Sequence, residues 1–182
     1  MSSFRDVQLK GYEILMQVVD ICERNHLTYY LSSGTLLGAI RHDGFIPWDN
    51  DIDIEMPLRD YRKFIKLAKR ELPDSLFLQT YHTDPAYNEM WAKVRANDTA
   101  SIPVMWKDYN MHMGIGIDIF PLVGIYQNPL LRKWQTRLHA FCRTLLAKEY
   151  LEAVRSPELN SLKLRILFAI PRKIRTAICS LL

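Results

Sequence analysis

The sequence predicts an α/β (α+β) fold, a mixed sheet flanked by helices and followed by a helical C-terminal tail. Three observations carry that prediction. Candidate elements run helix, strand, helix, strand, helix, three strands, then helix. Apolar residues at helical spacing alternate with stretches of period two. Charge is also split along the chain: residues 129–182 hold 11 Lys/Arg and 3 Asp/Glu, net +8, and residues 1–128 are net −4.

Residues 5–24 carry Leu9, Tyr12, Leu15, Val18, Val19 and Cys22 at helical spacing, which makes an amphipathic helix. Thr28 to Ser32 reads as a short strand. A short helix is expected from Thr35 to Arg41, then a loop punctuated by Asp43, Gly44 and Pro47. Asp51 to Met56 alternates polar and apolar, a strand with two different faces. Pro57 suits the first position of a helix running through Leu72, with Tyr61, Phe64, Ile65 and Ala68 facing inward. Segments 76–81, 90–97 and 114–120 are further strands. From Pro129 the pattern is helical, with a long helix to about Val154 and shorter basic pieces after Pro157 and Pro171.

Composition narrows the class. Of 182 residues, 48% are apolar and 24% charged, which excludes a disordered or fibrous chain. A chain of this size buries roughly 70% of its unfolded surface and needs no disulfide or metal to hold it. Cys22, Cys142 and Cys179 are odd in number and widely spaced, so a reducing compartment is expected. The first residues lack the apolar core of a secretion signal. The longest uncharged run, Asn25 to Ile40, holds Asn, His, Ser and Thr and is no membrane span. The basic C-terminal part favours an anionic partner: a nucleic acid, a phosphate-bearing substrate or a membrane surface. It also fits a simple solvated helix face.

The chemistry concentrates between Ser32 and Ile54. Asp51 and Asp53 are two apart on an expected strand, so both carboxylates leave one face while Ile52 and Ile54 enter the core. At about 4 Å and an effective dielectric near 20 their repulsion costs about 4 kcal/mol. Proton sharing or a divalent cation offsets such a cost. Hard oxygen ligands suit Mg²⁺, which uses one or two carboxylates together with substrate phosphates. Ser33-Gly34-Thr35 stands between a strand and a short helix, where free amides face an anion and glycine admits close approach. A phosphate cradle and a metal mount therefore fall in one short unit. Asp118 lies within Gly114-Ile-Gly-Ile-Asp-Ile-Phe-Pro-Leu122, a buried strand, and needs a partner there. A metal shared with Asp51 and Asp53 is one such partner; capping of a neighbouring turn is the plainer alternative.

These residues resemble a known family. Gly34-Thr-Leu-Leu-Gly-Ala-Ile-Arg-His-Asp-Gly-Phe-Ile-Pro-Trp-Asp-Asn-Asp-Ile-Asp53 is similar to the signature of the LicD family, which includes the fukutin-type proteins. Gly116 to Leu122 looks like its second block, and Lys93-Val-Arg95 with Asn97, Asp98 and Thr99 like its intervening stretch. The likeness covers about residues 10 to 125. Asn50 stands where relatives often carry Asp, and Val123 where many carry an acid. Relatives usually continue with a Tyr-Gly-Asp-Tyr-Met-like segment that this sequence lacks, so either the chain is a fragment or its acceptor side is built differently.

The resemblance implies a nucleotidyltransferase-like domain over residues 1–127, with 128–182 as a basic helical segment. It implies transfer of a substituted phosphate from a nucleoside-diphosphate-linked alcohol, CDP-choline in bacterial relatives, to a glycan hydroxyl. The acceptor there is a lipopolysaccharide or teichoic acid. On this reading Asp51, Asp53 and Asp118 are catalytic and hold Mg²⁺ (or Mn²⁺), Asp118 also serving as a base for the acceptor hydroxyl. Ser33, Gly34 and Thr35 hold phosphate. Arg41, Lys93 and Arg95 neutralise phosphate charge. Trp48 packs over a nucleobase or ammonium group, or else pins its loop to the core. His42 reads as a loop residue.

Two rival readings are an RNA- or small-molecule-modifying nucleotidyltransferase and a non-catalytic membrane-associated domain. No interleaved aromatic and basic pattern of RNA-recognition modules is visible, which argues against nucleic acid. Residues 159–182 hold five basic residues and no acid. Leu162, Ile166, Leu167 and Ile170 make one apolar stripe, and Ile174, Ile178 and Leu181 another. Both stripes either dock on the domain or lie on an anionic leaflet. The second case makes the chain a cytoplasmic protein, peripheral at the inner face of the cell membrane.

Overall fold

The computed structural model describes residues 3–102, 109–153 and 156–180. Val154, the expected end of the long helix, and Leu181 of the second stripe lie outside them. The fold is the expected mixed α/β arrangement. Its elements are α1 (Phe4–Arg24), β1 (Tyr30–Leu31), α2 (Ser33–His42), β2 (Asp53–Pro57), α3 (Leu58–Glu71), β3 (Leu76–Gln79), β4 (Ala92–Ala96) and β5 (Gly116–Leu122). The helices α4 (Pro129–Leu146), α5 (Lys148–Ala153), α6 (Leu162–Ala169) and α7 (Arg172–Cys179) follow, with a 3-10 turn at Pro157–Asn160.

The chain divides into two compact units. The first comprises residues 1–79, 91–102 and 112–123 and contains the sheet. Strand order is β1-β2-β5-β4-β3. The central pair β2/β5 is parallel and every other pairing is antiparallel. Ile54, Ile119 and Ala92 share one row and one face, and all are buried. Ile14, Val18 and Ile21 of α1 and Phe64 and Ala68 of α3 join them in a single core. Truncating one of these large side chains to Ala costs about 2–5 kcal/mol.

Helix α1 starts at a capping box, Ser3 and Asp6 each accepting from the other's amide. The strand expected at 28–32 shrinks to two residues at the sheet edge, and α2 begins at Ser33 rather than Thr35. Strand β2 starts at Asp53, with Asp51 and Ile52 just before it. The alternation nevertheless continues backward, for Ile52 is buried and its carbonyl accepts from the Asp118 amide at 2.8 Å.

The second unit comprises residues 80–90, 103–111 and 124–182. Proline at the first position and the Asn128 side chain, which accepts from the Leu130 and Leu131 amides, start α4. The expected single helix breaks at Ala147, whose amide is shared between the Arg143 and Thr144 carbonyls. Cys142, Leu145, Leu146 and Cys179 form a small core, with Tyr81, Met90, Leu167 and Ile178 against it. All three cysteines are buried free thiols.

Arg175 in this unit is 2% exposed. Its guanidinium donates to Glu149 Oε1 at 2.7 Å and to the Leu145 and Ile170 carbonyls. Arg172 Nη1 is 3.2 Å from the same Glu149 oxygen. Two of the five basic residues expected to face a leaflet are therefore turned inward. The stripes split likewise: Leu162, Ile166 and Ile174 are exposed while Leu167 and Ile178 pack on the small core.

Candidate active site

The polar face of the sheet builds the site. Pairing aligns Asp53 of β2, Asp118 of β5 and Lys93 of β4 in one row across three adjacent strands. Their neighbours Ile54, Ile119 and Ala92 take the core face, so alternation puts the three charged side chains on the opposite one. Lys93 Nζ is 2.6 Å from Asp118 Oδ1 and 2.8 Å from Oδ2. Trp91 Nε1 donates to Asp118 Oδ1 at 2.9 Å, its ring tilted against Phe120. The isolated acid of the sequence thus has two partners from β4 and its approach.

The start of α2 closes over this row. Thr35 Oγ1 accepts from the Asp53 amide at 2.8 Å, strapping the helix to the strand. Leu36 makes the first intrahelical bond, to Ser32, so the amides of Ser33, Gly34 and Thr35 precede the helical ladder. Ser33 adopts a left-handed φ of 48°, and its hydroxyl bonds the Asp53 carboxylate. A Cβ on Gly34 would meet the Asp49 carboxylate, so glycine leaves room for the helix and that side chain to lie in contact as they do. Ser32 Oγ donates to Glu55 Oε1 at 2.7 Å.

The site carries more acid than base. Asp53 is half-buried, and burial followed by repulsion from Asp118 and Asp51 pushes its carboxyl up to about 6. The Ser33 hydroxyl and Lys93 pull against that shift and do not cancel it. Asp51 is raised too, by burial and then by Asp49 and Asp118. Asp49, which the sequence reading did not single out, is held in place from α1. The buried Gln8 amide donates to the carbonyls of Asp49 at 2.7 Å and Ile46 at 3.3 Å. Asp49 Oδ1 in turn accepts from the Asp51 amide at 3.2 Å. An apolar cavity of about 140 Å³ opens beside these groups, lined among others by Tyr12, Phe45, Gly34, Asp49 and Asp51.

Of the residues expected here, Ser33, Gly34, Thr35, Asp51, Asp53, Asp118 and Lys93 are brought together. Three others stand apart. Arg41 is exposed in the last turn of α2, about 12 Å along the axis from Ser33. Trp48 is 78% exposed, its ring edge-on to His42 with centroids 6.3 Å apart. Arg95 follows Lys93 on the same strand face, but its guanidinium holds Gln79 Oε1 and the Gly114 carbonyl. Asp49, Glu55, Trp91 and Gln8 join the site without having been anticipated. Only Asp49 left a local trace, as an acid within the quoted signature.

The donor set, carboxylates beside hydroxyls, suits a hard divalent cation in kind. Asp51 and Asp53 are the pair whose raised carboxyls a cation would relieve. Among the described residues no three His, Cys, Asp or Glu side chains converge closely enough to hold a metal ion. Asp118 is turned onto the Lys93 ammonium, which supplies the positive charge in this arrangement.

A family model described as LicD/FKTN/FKRP, nucleotidyltransferase domain, matches residues 26–165. Lipopolysaccharide cholinephosphotransferase LicD of Haemophilus influenzae is 41% identical over 78 residues, 43% of this chain and 29% of that protein. Human ribitol 5-phosphate transferase FKRP is 44% identical over 48 residues, 26% of this chain and 10% of that protein. The matched stretches thus span less than a third of either relative. The Asp51/Asp53 pair, the small-residue turn before it and the third carboxylate all lie inside the matched region, and the chain belongs to the LicD/FKTN/FKRP nucleotidyltransferase-domain family.

Proposed function

We propose that this chain carries the catalytic site of a transferase for substituted phosphates. It moves phosphocholine or a similar group from a nucleoside-diphosphate-linked alcohol such as CDP-choline to a hydroxyl of a cell-surface glycan or lipid-linked glycan. The reaction is placed in the cytoplasm, at the inner face of the membrane. The observation that carries this reading is the row Asp53–Asp118–Lys93, roofed by the amides and hydroxyls of Ser33 to Thr35.

Phosphoryl transfer asks a protein chiefly for positioning and charge stabilisation. The amides at the start of α2 bind phosphate oxygens. Lys93 leaves Asp118 for the transferred phosphate and offsets its charge. Asp118, released, accepts the proton of the attacking hydroxyl or serves as a third metal ligand. The new bond joins the acceptor oxygen to phosphorus; the bond to the nucleoside monophosphate breaks, and its oxygen keeps the electron pair. Asp51 and Asp53 would hold Mg²⁺ or Mn²⁺. When bound, it would supply positive charge to offset that of the transferred phosphate. Arg41, Arg95 and Trp48 reach the donor only by moving.

A thermal-shift titration with CDP-choline, with and without Mg²⁺, tests the proposal. The midpoint should rise with donor concentration, by mass action, only when the cation is present. Asp51→Asn should remove that rise and lower nucleoside-monophosphate release about a thousandfold, the several kcal/mol a metal contributes to charge stabilisation. A donor-independent midpoint, or Asp51→Asn turning over like the wild type, would falsify it.

A further inference from the structure

Helix α4 carries one continuous apolar face that the protein uses at one end only. Leu130, Leu131, Trp134, Leu138, Phe141, Cys142 and Leu145 fall within an arc of about 120°. The last turn buries Cys142 and Leu145 in the small core with Cys179 of α7. The first three turns leave the same face bare, with Leu130 71% exposed and Trp134 68%. The helix is nonetheless fully formed. Asn128 caps it, and the Gln135 side chain clasps the Gly124 carbonyl and the Tyr126 amide. That clasp holds exposed Ile125 and Tyr126 beside the stripe.

The charge of this helix narrows what covers the stripe. Arg132, Lys133, Arg137 and Arg143 are its only charged residues, and it contains no Asp or Glu. Lys133 and Arg137 run along one border of the stripe. Arg132 and Lys133 stand near the helix N-terminus, where a cation opposes the macrodipole and an outside anion would relieve it. A second copy would bring the same basic face against itself. A nucleic acid would have no use for an aliphatic stripe.

We infer that α4 is an interfacial helix that lies on an anionic lipid surface. Leu130, Trp134 and Leu138 enter the boundary between headgroups and acyl chains, and the Arg and Lys side chains reach lipid phosphates. This locates membrane contact on α4 rather than on residues 159–182, whose Arg172 and Arg175 are engaged inside their own unit. The inference rests on this helix and not on the transferase chemistry.

Co-sedimentation of the whole chain with phosphatidylcholine vesicles, with and without phosphatidylglycerol, tests it. Binding should require the anionic lipid and weaken with added salt. Trp134→Ala combined with Leu138→Ala should weaken it at least about tenfold. Lys133→Glu with Arg137→Glu should weaken it comparably while leaving the apolar stripe intact, and unchanged circular dichroism checks that both variants fold. Asp53→Asn should bind vesicles like the wild type, so a failed transferase reading leaves this result untouched. Absence of binding, equal binding of all variants, or a dimer in gel filtration that the double alanine variant abolishes would overturn the inference.

Discussion

The two units of this protein each bring charge out of water and settle it in opposite ways. In the helical unit Arg175 is buried, and its guanidinium meets Glu149 and two backbone carbonyls. Glu149 is held below its ordinary carboxylate value: burial pushes upward, but the Arg175 hydrogen bond and the charges of Arg175 and Arg172 win. On the polar face of the sheet Asp51, Asp53 and Asp118 share Lys93, and Asp53 and Asp51 are pushed up instead. A depressed carboxyl marks a charge whose neighbours stabilise the fold. A raised one marks a charge the fold keeps at a cost, which is the usual condition of a group that works on a ligand.

The largest effect should come from cutting the balanced side. Arg175→Met leaves Glu149 without its main partner and should cost about 3 kcal/mol, read as a lower denaturant midpoint. Adding Glu149→Met should restore much of it, because two apolar side chains can replace a buried pair at little cost. If the single variant is as stable as the wild type, the contrast between the units collapses.

Lys93→Met attacks the other side. It leaves Asp118 with the Trp91 indole as its remaining donor of the two named here, and should cost about 1–2 kcal/mol, less than Arg175→Met. It should also weaken donor binding, which Arg175→Met should not do while the chain stays folded. Parallel denaturation and donor titrations of both variants separate the two outcomes.

A smaller and more specific effect concerns pH, where the units should respond with opposite sign. Glu149 is depressed, so its contribution is present above the unfolded carboxylate value of 4.5 and disappears as pH falls through its lower folded value. Asp53 is raised to about 6 against an ordinary 3.8, so protonation favours the folded state. Its contribution is therefore full below 3.8 and lost as pH rises through about 6. Stability curves of Glu149→Gln and Asp53→Asn should depart from the wild type with opposite sign as pH rises, the first falling below it above about 4.5 and the second standing above it by about 6. Parallel curves would contradict the assignment.

How much of this was legible in the sequence follows from how local each signal is. The Asp51/Asp53 pair and the Ser33-Gly34-Thr35 turn were readable because side-chain alternation and turn chemistry act within a few residues. The partner of Asp118 was not. Lys93 and Trp91 reach it from 25 and 27 residues away, through a β4/β5 register that no local pattern encodes. Gln8 is a polar residue in a helix and gives no sign that it holds the Asp49 loop 41 residues on. The basic tail shows the same limit, since five cations read alike in sequence. Only packing shows that Arg172 and Arg175 serve Glu149.

The acids of the sheet are kept for a ligand and not for stability. The most direct measurement is the denaturation midpoint of Asp53→Asn against wild type at pH 7, with divalent cations chelated. The variant removes one of the crowded charges and leaves an amide oxygen for the Ser33 hydroxyl. It should be at least as stable as the wild type, with any gain fading as pH falls below about 6. A clear loss of stability at pH 7 would make Asp53 a structural carboxylate instead.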